Sequence, residues 1–327
     1  MGWFNRKKSD TDGGEAPTGQ ARNIWRLAIG VVVVLIVFCL AIMMLNYRFP
    51  KFFPVEEIRE KPGTAYTRTL IKIAEDMSSK WLVNDKVWPT VFLDNPRNFQ
   101  LGLLEGVRYN TRVLRDKLSR LRTTDKIDHD CEAAFVYFSN DPFKWILPSA
   151  ESKFDSGVKS LKSYEKRLAA GQAQFYQRAD NLNELLDQYV SLLGGVNTRL
   201  ANAPRRKQMV TSEETSGDQY TKGETSVQLA IPWREVDDNF YYAQGVAYTL
   251  RQMMLTIKYE FKNIMDLKNA GEMVDRIIDV LDQSQFEPLV ILNGDFGSIF
   301  ANHSVQLQSL LEDARQKMRS LQDMIRQ

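Results

Sequence analysis

Nineteen consecutive residues, Leu27 to Leu45 (LAIGVVVVLIVFCLAIMML), carry no charge. As a helix rising about 1.5 Å per residue the run reaches about 28 Å, close to the roughly 30 Å hydrocarbon core of a bilayer. Backbone groups in hydrocarbon must be satisfied within their own segment, so the Val and Ile content does not turn this run into a strand. A core helix of a soluble domain would show a polar face, and this run has none. It also exceeds the roughly 7–15 apolar residues of a cleaved signal peptide, and Asn46-Tyr47-Arg48-Phe49-Pro50 offers no small-x-small cleavage site. The run therefore predicts a retained signal anchor, a transmembrane helix over 27–45. Arg6 stands where N-myristoylation of Gly2 would require Ser or Thr.

The flanks set an orientation. Arg6, Lys7, Lys8, Arg22 and Arg26 precede the span, and Arg48, Lys51, Arg59 and Lys61 follow it. Arg22 and Arg26 sit tightly at the entry, and long C-terminal domains cross membranes largely regardless of their charge. The expectation is a cytoplasmic N-terminus and a large domain on the other side, with Trp25 and Tyr47 as interfacial anchors. Residues 1–26, with four glycine and proline residues between Gly13 and Gly19, are too polar to fold alone and read as a disordered cytoplasmic tail. Such a tail offers no output module for a transmembrane receptor.

From residue 46 onward, through a linker at 46–63 and the domain beyond it, the charge is balanced. The chain carries 43 Lys plus Arg against 41 Asp plus Glu, and the tail accounts for the small excess. Nucleic-acid binding needs a basic face to neutralise phosphates, so it is not expected. Of two cysteines, Cys39 lies in the apolar run and Cys131 outside it, so the large domain has no internal disulfide. Cys131 reads as a small buried hydrophobe.

Residues 64–327 are helical by periodicity. Leu104, Val107, Thr111, Leu114, Leu118 and Leu121 recur at spacings of three and four, as do Leu182, Leu186, Tyr189, Leu193, Val196 and Leu200. Ala243, Ala247, Leu250, Met254, Ile257, Phe261 and Ile264 form a third stripe, and Leu307, Leu311, Ala314, Met318, Leu321 and Ile325 a fourth. Shorter runs cover 64–82, 151–169 and 270–282, and Pro232-Trp233 is placed to open a long helix. Narrow stripes of this kind are seams of antiparallel bundles or coiled coils. The predicted fold class is all-α: a transmembrane helix followed by an elongated, mostly antiparallel helical bundle. A polar loop at 203–226 interrupts it, and the alternation at 226–231 allows one small β-hairpin with 207–212.

No motif carries an enzymatic reading. Asp128-His129-Asp130 looks like a ligand set, but successive residues of a helix diverge, and there is no HExxH or CxxC. Asn293-Gly294-Asp295-Phe296-Gly297 contains the letters DFG without a glycine-rich loop or a catalytic-loop Asp–Asn pair, and reads as a turn. GxSxG, Walker A and GxGxxG are absent, and Asp237–Asp238 and Glu213–Glu214 are sequence neighbours rather than acids facing across a cleft. No catalytic residue, cofactor or metal is assigned.

Candidate contact residues come from two places. Aromatic, proline-punctuated stretches at 86–100 and 139–150 supply Trp88, Phe92, Phe99, Phe143 and Trp145. The last helix supplies Leu311, Met318, Leu321 and Ile325, a seam open to a copy or a partner if it is not filled within the chain. A slot beside Tyr241, Tyr242, Tyr248, Met253 and Met254 is an alternative site for a lipid or other apolar ligand.

The stretches Trp145-Ile146-Leu147-Pro148-Ser149-Ala150-Glu151-Ser152 and Ala173-Gln174-Phe175-Tyr176-Gln177-Arg178-Ala179-Asp180-Asn181-Leu182, with Phe53-Pro54-Val55, resemble a family of proteobacterial single-span inner-membrane proteins, domain of unknown function 2333. The resemblance covers nearly the whole chain. It implies a Gram-negative source, an inner-membrane anchor and a periplasmic domain, and supplies no activity. The reading that results is a non-enzymatic structural or protein-interaction module of the cell envelope. Its expected partners are the lipid bilayer through 27–45 and another envelope protein or a second copy. A lipid-binding module, or the sensory subunit of a separate transducer, is the alternative.

Overall fold

The computed structural model describes residues 19–55, 61–86, 89–122, 124–202, 207–211, 226–230, 236–288, 291 and 302–327. The chain divides into two units, residues 1–46 and 47–327. In the first, helix α1 runs Gly19–Asn46, beginning two turns before the apolar run. Its portion Asn23–Asn46 is long and apolar enough to cross a membrane.

The second unit is a helical domain built on α2 (Thr64–Ser78), α3 (Asp94–Val113), α4 (His129–Phe138), α5 (Ala150–Ala170), α6 (Ala179–Asn202), α7 (Val236–Glu260), α8 (Lys262–Leu267), α9 (Gly271–Gln283) and α10 (His303–Arg326). The short runs at 64–82, 151–169 and 270–282 correspond to α2, α5 and α9 within a few residues. Pro232 and Trp233, expected to open α7, lie outside the described residues. A two-stranded antiparallel hairpin, β1 (Lys207–Thr211) with β2 (Ser226–Ala230), joins α6 to α7, with Lys207 opposite Ala230.

Two stripes do not stay on one helix. The first continues past α3 into a π-turn, Leu114–Leu118, and Leu121 falls beyond it, 46% exposed. A wider turn rotates the following residues off the stripe, so spacing alone overran the helix. The third is broken at Phe261, whose backbone (φ −103°, ψ 23°) leaves the helical region between α7 and α8.

The α6 and α10 stripes meet each other within the chain. Leu182, Leu186, Tyr189, Leu193 and Leu200 are fully buried, as are Leu307, Leu311, Ala314, Met318 and Leu321. Polar bonds fix the antiparallel register: Asn197 Nδ2 donates to Glu312 Oε2 at 2.7 Å, and Gln322 Nε2 to the Asn183 carbonyl at 3.0 Å.

At the centre α3 crosses α7, and here the helices run parallel. Asn98 Nδ2 donates to Asp238 Oδ1 at 2.6 Å, Gly102 lies against Tyr242 and Val246, and Gly106 against Thr249. Three glycines permit the approach. A Cβ on Gly102 would collide with the Tyr242 carbonyl oxygen, one on Gly245 with the Phe99 carbonyl oxygen, and one on Gly106 would lie 2.5 Å from Thr249 Cγ2. Small residues four apart on facing helices bring two backbones together as larger side chains cannot.

Two buried polar clusters join residues far apart in the sequence. Asn110 Oδ1 accepts the hydroxyls of both Tyr66 (2.8 Å) and Tyr189 (2.5 Å). The start of α2 has no local cap: Gly63 sits in the left-handed region (φ 85°) and offers no side chain. Glu260, at the end of α7, takes that role by accepting the Gly63 amide on Oε2 (3.0 Å) and the Tyr66 amide on Oε1 (3.1 Å). A carboxylate there meets unpaired N–H groups and the positive end of the helix dipole. Gln177 Nε2 adds a bond to Oε2 at 2.7 Å.

Candidate interaction surface

The hydrogen bonds define two ends of the helical domain. The first residues after α1 pack at one of them. Tyr47 Oη is 3.4 Å from Asn95 Nδ2, and Phe49 packs edge-on to Phe99 and stacks on Tyr241 at 5.5 Å. From there 47–53 runs along α7, where Tyr248 Oη donates to the Lys51 carbonyl (2.8 Å) and Gln252 Nε2 to that of Phe53 (3.0 Å). The opposite end holds Glu260, the 171–178 segment and α8.

Loops at the Tyr47 end are tied together by the segment after α2. Arg97, in the first turn of α3, donates to the carbonyl of Val83 at 3.0 Å and that of Val91 at 3.4 Å. Trp81 Nε1 donates to the Pro142 carbonyl, and Asn84 Nδ2 to that of Lys144, both at 3.0 Å. Leu82 N–H donates to Gln100 Oε1 at 2.8 Å. The backbone of 141–150 closes on itself as well: Phe143 N–H donates to Asp141 Oδ1 (2.9 Å) and Ala150 N–H to the Lys144 carbonyl (2.9 Å).

The candidate residues separate accordingly. Phe92, closing a short 3₁₀ turn (Thr90–Phe92), and Phe143 and Trp145, on the loop before α5, are exposed at 63%, 55% and 45%. Phe99 is buried, because 94–100 is the first part of α3 and not a loop. Trp88 lies outside the described residues. Leu311, Met318, Leu321 and Ile325 are buried against α6, so in the folded chain that seam is core and presents no open face. Aromatic content named two side chains too few: Ile146 (59% exposed) and Leu147 (87%) continue the outward apolar run. The run Phe143-Lys144-Trp145-Ile146-Leu147, short, aperiodic and bounded by prolines, is the signal that marks them.

Of the residues named for the alternative slot, Met253 and Met254 are core, while Tyr241 and Tyr248 line a groove. Met253 and Met254 are fully buried, Tyr248 stacks on Phe52 at 5.2 Å, Tyr241 stacks on Phe49, and the Arg199 guanidinium lies 4.5 Å from the Tyr242 ring centre. A groove of about 960 Å³ remains beside the 47–52 segment, lined by Arg48, Lys51, Phe99, Gln244 and Gln285 among others.

The acids ahead of and within the first turn of α4 are engaged internally. Asp128 is not on α4 but caps it with extended backbone (φ −64°, ψ 128°), so its carboxylate turns over the first turn. This brings potential ligand atoms of Asp128, His129 and Asp130 within 4.8 Å of one another, where divergence along a helix was expected. Arg167, from α5, holds both acids: Nη2 donates to Asp128 at 2.6 Å and Nε to Asp130 Oδ2 at 2.8 Å. Burial alone would raise the Asp128 carboxyl, but the Arg167 guanidinium and the amides of Asp130 and Cys131 hold it below the usual carboxylate range. Burial pushes the Cys131 thiol well up, away from a reactive thiolate.

No curated protein and no solved structure matches this chain. A family described as an uncharacterized protein conserved in bacteria matches residues 19–327, from the start of α1 through the whole helical domain. With its apolar N-terminal helix and the α3–α7 and α6–α10 pairs that follow, the chain belongs to that bacterial family, DUF2333.

Proposed function

We propose that this is a non-enzymatic, single-span inner-membrane protein with a cytoplasmic N-terminus, whose periplasmic helical domain works by contact, as a structural or protein-interaction module of the envelope. The observation that carries this reading is a contrast within the domain. Asp128, Asp130, Glu260, Tyr66 and Tyr189 are engaged by partners inside the fold. Phe143, Trp145, Ile146 and Leu147 instead face outward from a loop whose backbone is pinned. Contiguous exposed apolar side chains mark contact sites. The expected partner is another envelope component or a second copy of the chain.

The test is a photoreactive side chain in place of Phe143 or Trp145 in the full-length protein, irradiated in intact cells and read by mass spectrometry. A reproducible adduct with an envelope component, or with a second copy, supports contact at this face. Absence of any adduct, with recovery alone at the monomer mass after gentle solubilisation, overturns it.

A further inference from the structure

We propose that this face meets the lipid surface itself: Phe143, Trp145, Ile146 and Leu147 dip into the interfacial layer of the membrane in which the chain is anchored. The inference rests on the contact reading above and on α1 crossing a membrane.

Placement comes first. Asn46 ends the apolar helix, and Tyr47, one step of about 3.8 Å further along the chain, is already bonded to Asn95 at the start of α3. Phe92 lies three residues before Asn95, and Arg97 ties its loop to the 81–84 segment that also holds 142–144. Along the chain, the end of the domain that holds Tyr47 is thus the one joined directly to the apolar helix.

Chemistry comes next. Aromatic rings favour the headgroup layer, with apolar bodies inward and polar tips outward, and lysines extend their amines to the phosphates. Lys86 Nζ lies 5.9 Å from the Trp145 ring centre, so ammonium and indole occupy one level, and Lys144 is exposed beside it. Of the acids on the same loops, Asp141 turns one carboxylate oxygen to the Phe143 amide, and Asp85 is half-buried.

Rigidity completes the case. Leu147 is 87% exposed and held in the left-handed region (φ 58°), a conformation leucine rarely adopts. The bonds from Trp81 and Asn84 fix the loop that displays it. A pinned loop gives up little freedom on insertion, so its apolar side chains contribute most of their transfer free energy to the contact.

The experiment places a photoreactive phenylalanine analogue, one site at a time, at Val34, Leu147 and Leu267 of the full-length protein. Each protein is reconstituted in vesicles of phosphatidylethanolamine and phosphatidylglycerol. Leu267, on α8 at the opposite end, is 78% exposed and serves as the distant control. The expected result is phospholipid adducts at 34 and 147, with those at 267 at least tenfold fewer. Adducts at 34 alone, equal adducts at 147 and 267, or only a dimer adduct at 147, overturn the inference. The dimer adduct would leave the contact reading standing. No adduct at 34 would remove the membrane span, and this inference with it.

Discussion

Gly102 and Tyr242 meet backbone to backbone: the carbonyl oxygen of Tyr242 stands where any other residue at 102 would carry its Cβ. The reciprocal contact, Gly245 against the Phe99 carbonyl, makes this the closest approach among the described glycines on facing helices. The crossing of α3 and α7 is therefore set by absent side chains.

Adding one methyl group there forces the helices apart. Gly102→Ala is expected to cost about 1–3 kcal/mol, as overpacked cores do, and to lower the melting temperature by several degrees. Gly195→Ala on α6, where a Cβ would meet nothing within 4 Å, serves as the control and is expected to be neutral or stabilising by up to about 1 kcal/mol. Thermal denaturation of the two variants side by side checks the contrast.

Glu260 joins the end of α7 to the start of α2. Glu260→Gln keeps the shape but removes the charge, and one of its two terminal atoms then presents N–H groups to a backbone amide. A loss of about 1.5–3 kcal/mol is expected in denaturant titration, the range for hydrogen bonds to charged groups. Glu260→Ala is expected to lose more.

Alkaline pH acts on the buried hydroxyls. Burial raises Tyr66 and Tyr189 well above the ordinary tyrosine value of about 10, and Tyr242 to about 12. Their protons are retained in the folded state while the unfolded chain loses them, so stability is intact below about pH 10 and falls as pH rises beyond it. Absorbance of tyrosinate is expected in two phases, exposed residues first and the buried set together with loss of helical circular dichroism. A single phase completed with helicity intact would contradict the burial.

At acid pH the sign reverses. Two hydrogen bonds from Arg315, with one from Asn197, hold Glu312 down at about 2. The stabilisation is present above the unfolded value of about 4.3 and fades as pH falls toward about 2. Arg315→Met is expected to flatten this part of the stability profile and move the acid midpoint upward, as measured by helicity against pH.

Topology has its own test. A phosphatase reporter fused after Gln327 is expected to be active, as a periplasmic end requires, and a β-galactosidase fusion at the same point inactive. The reverse pattern would invert the proposed orientation.

How far the sequence reveals this structure depends on the kind of interaction. The α6 and α10 seams are legible because burial on one helix face repeats every three or four residues. The α3–α7 crossing is not, because Gly102, Gly106 and Gly245 add nothing to a hydrophobic period, and their role appears only when the facing helix is known. Leu121 and Phe261 show a second limit: a stripe persists in sequence where the backbone has already turned, through the π-turn after α3 and the break before α8. For the contact face, aromatic content pointed to Phe92, Phe143 and Trp145, but equally to Phe99, since composition does not tell a loop from a helix start. Ile146 and Leu147 were hidden for the opposite reason, as aliphatic residues ordinarily read as core.

The Glu260 cap bears on how the protein is made. The group that begins α2 is synthesised 197 residues after Gly63, so no nascent chain shorter than about four-fifths of the protein contains that cap. As the chain is synthesised, α2 waits without that cap while α3 to α6 appear. The cap's contribution to α2 is therefore made only once α7 is in place.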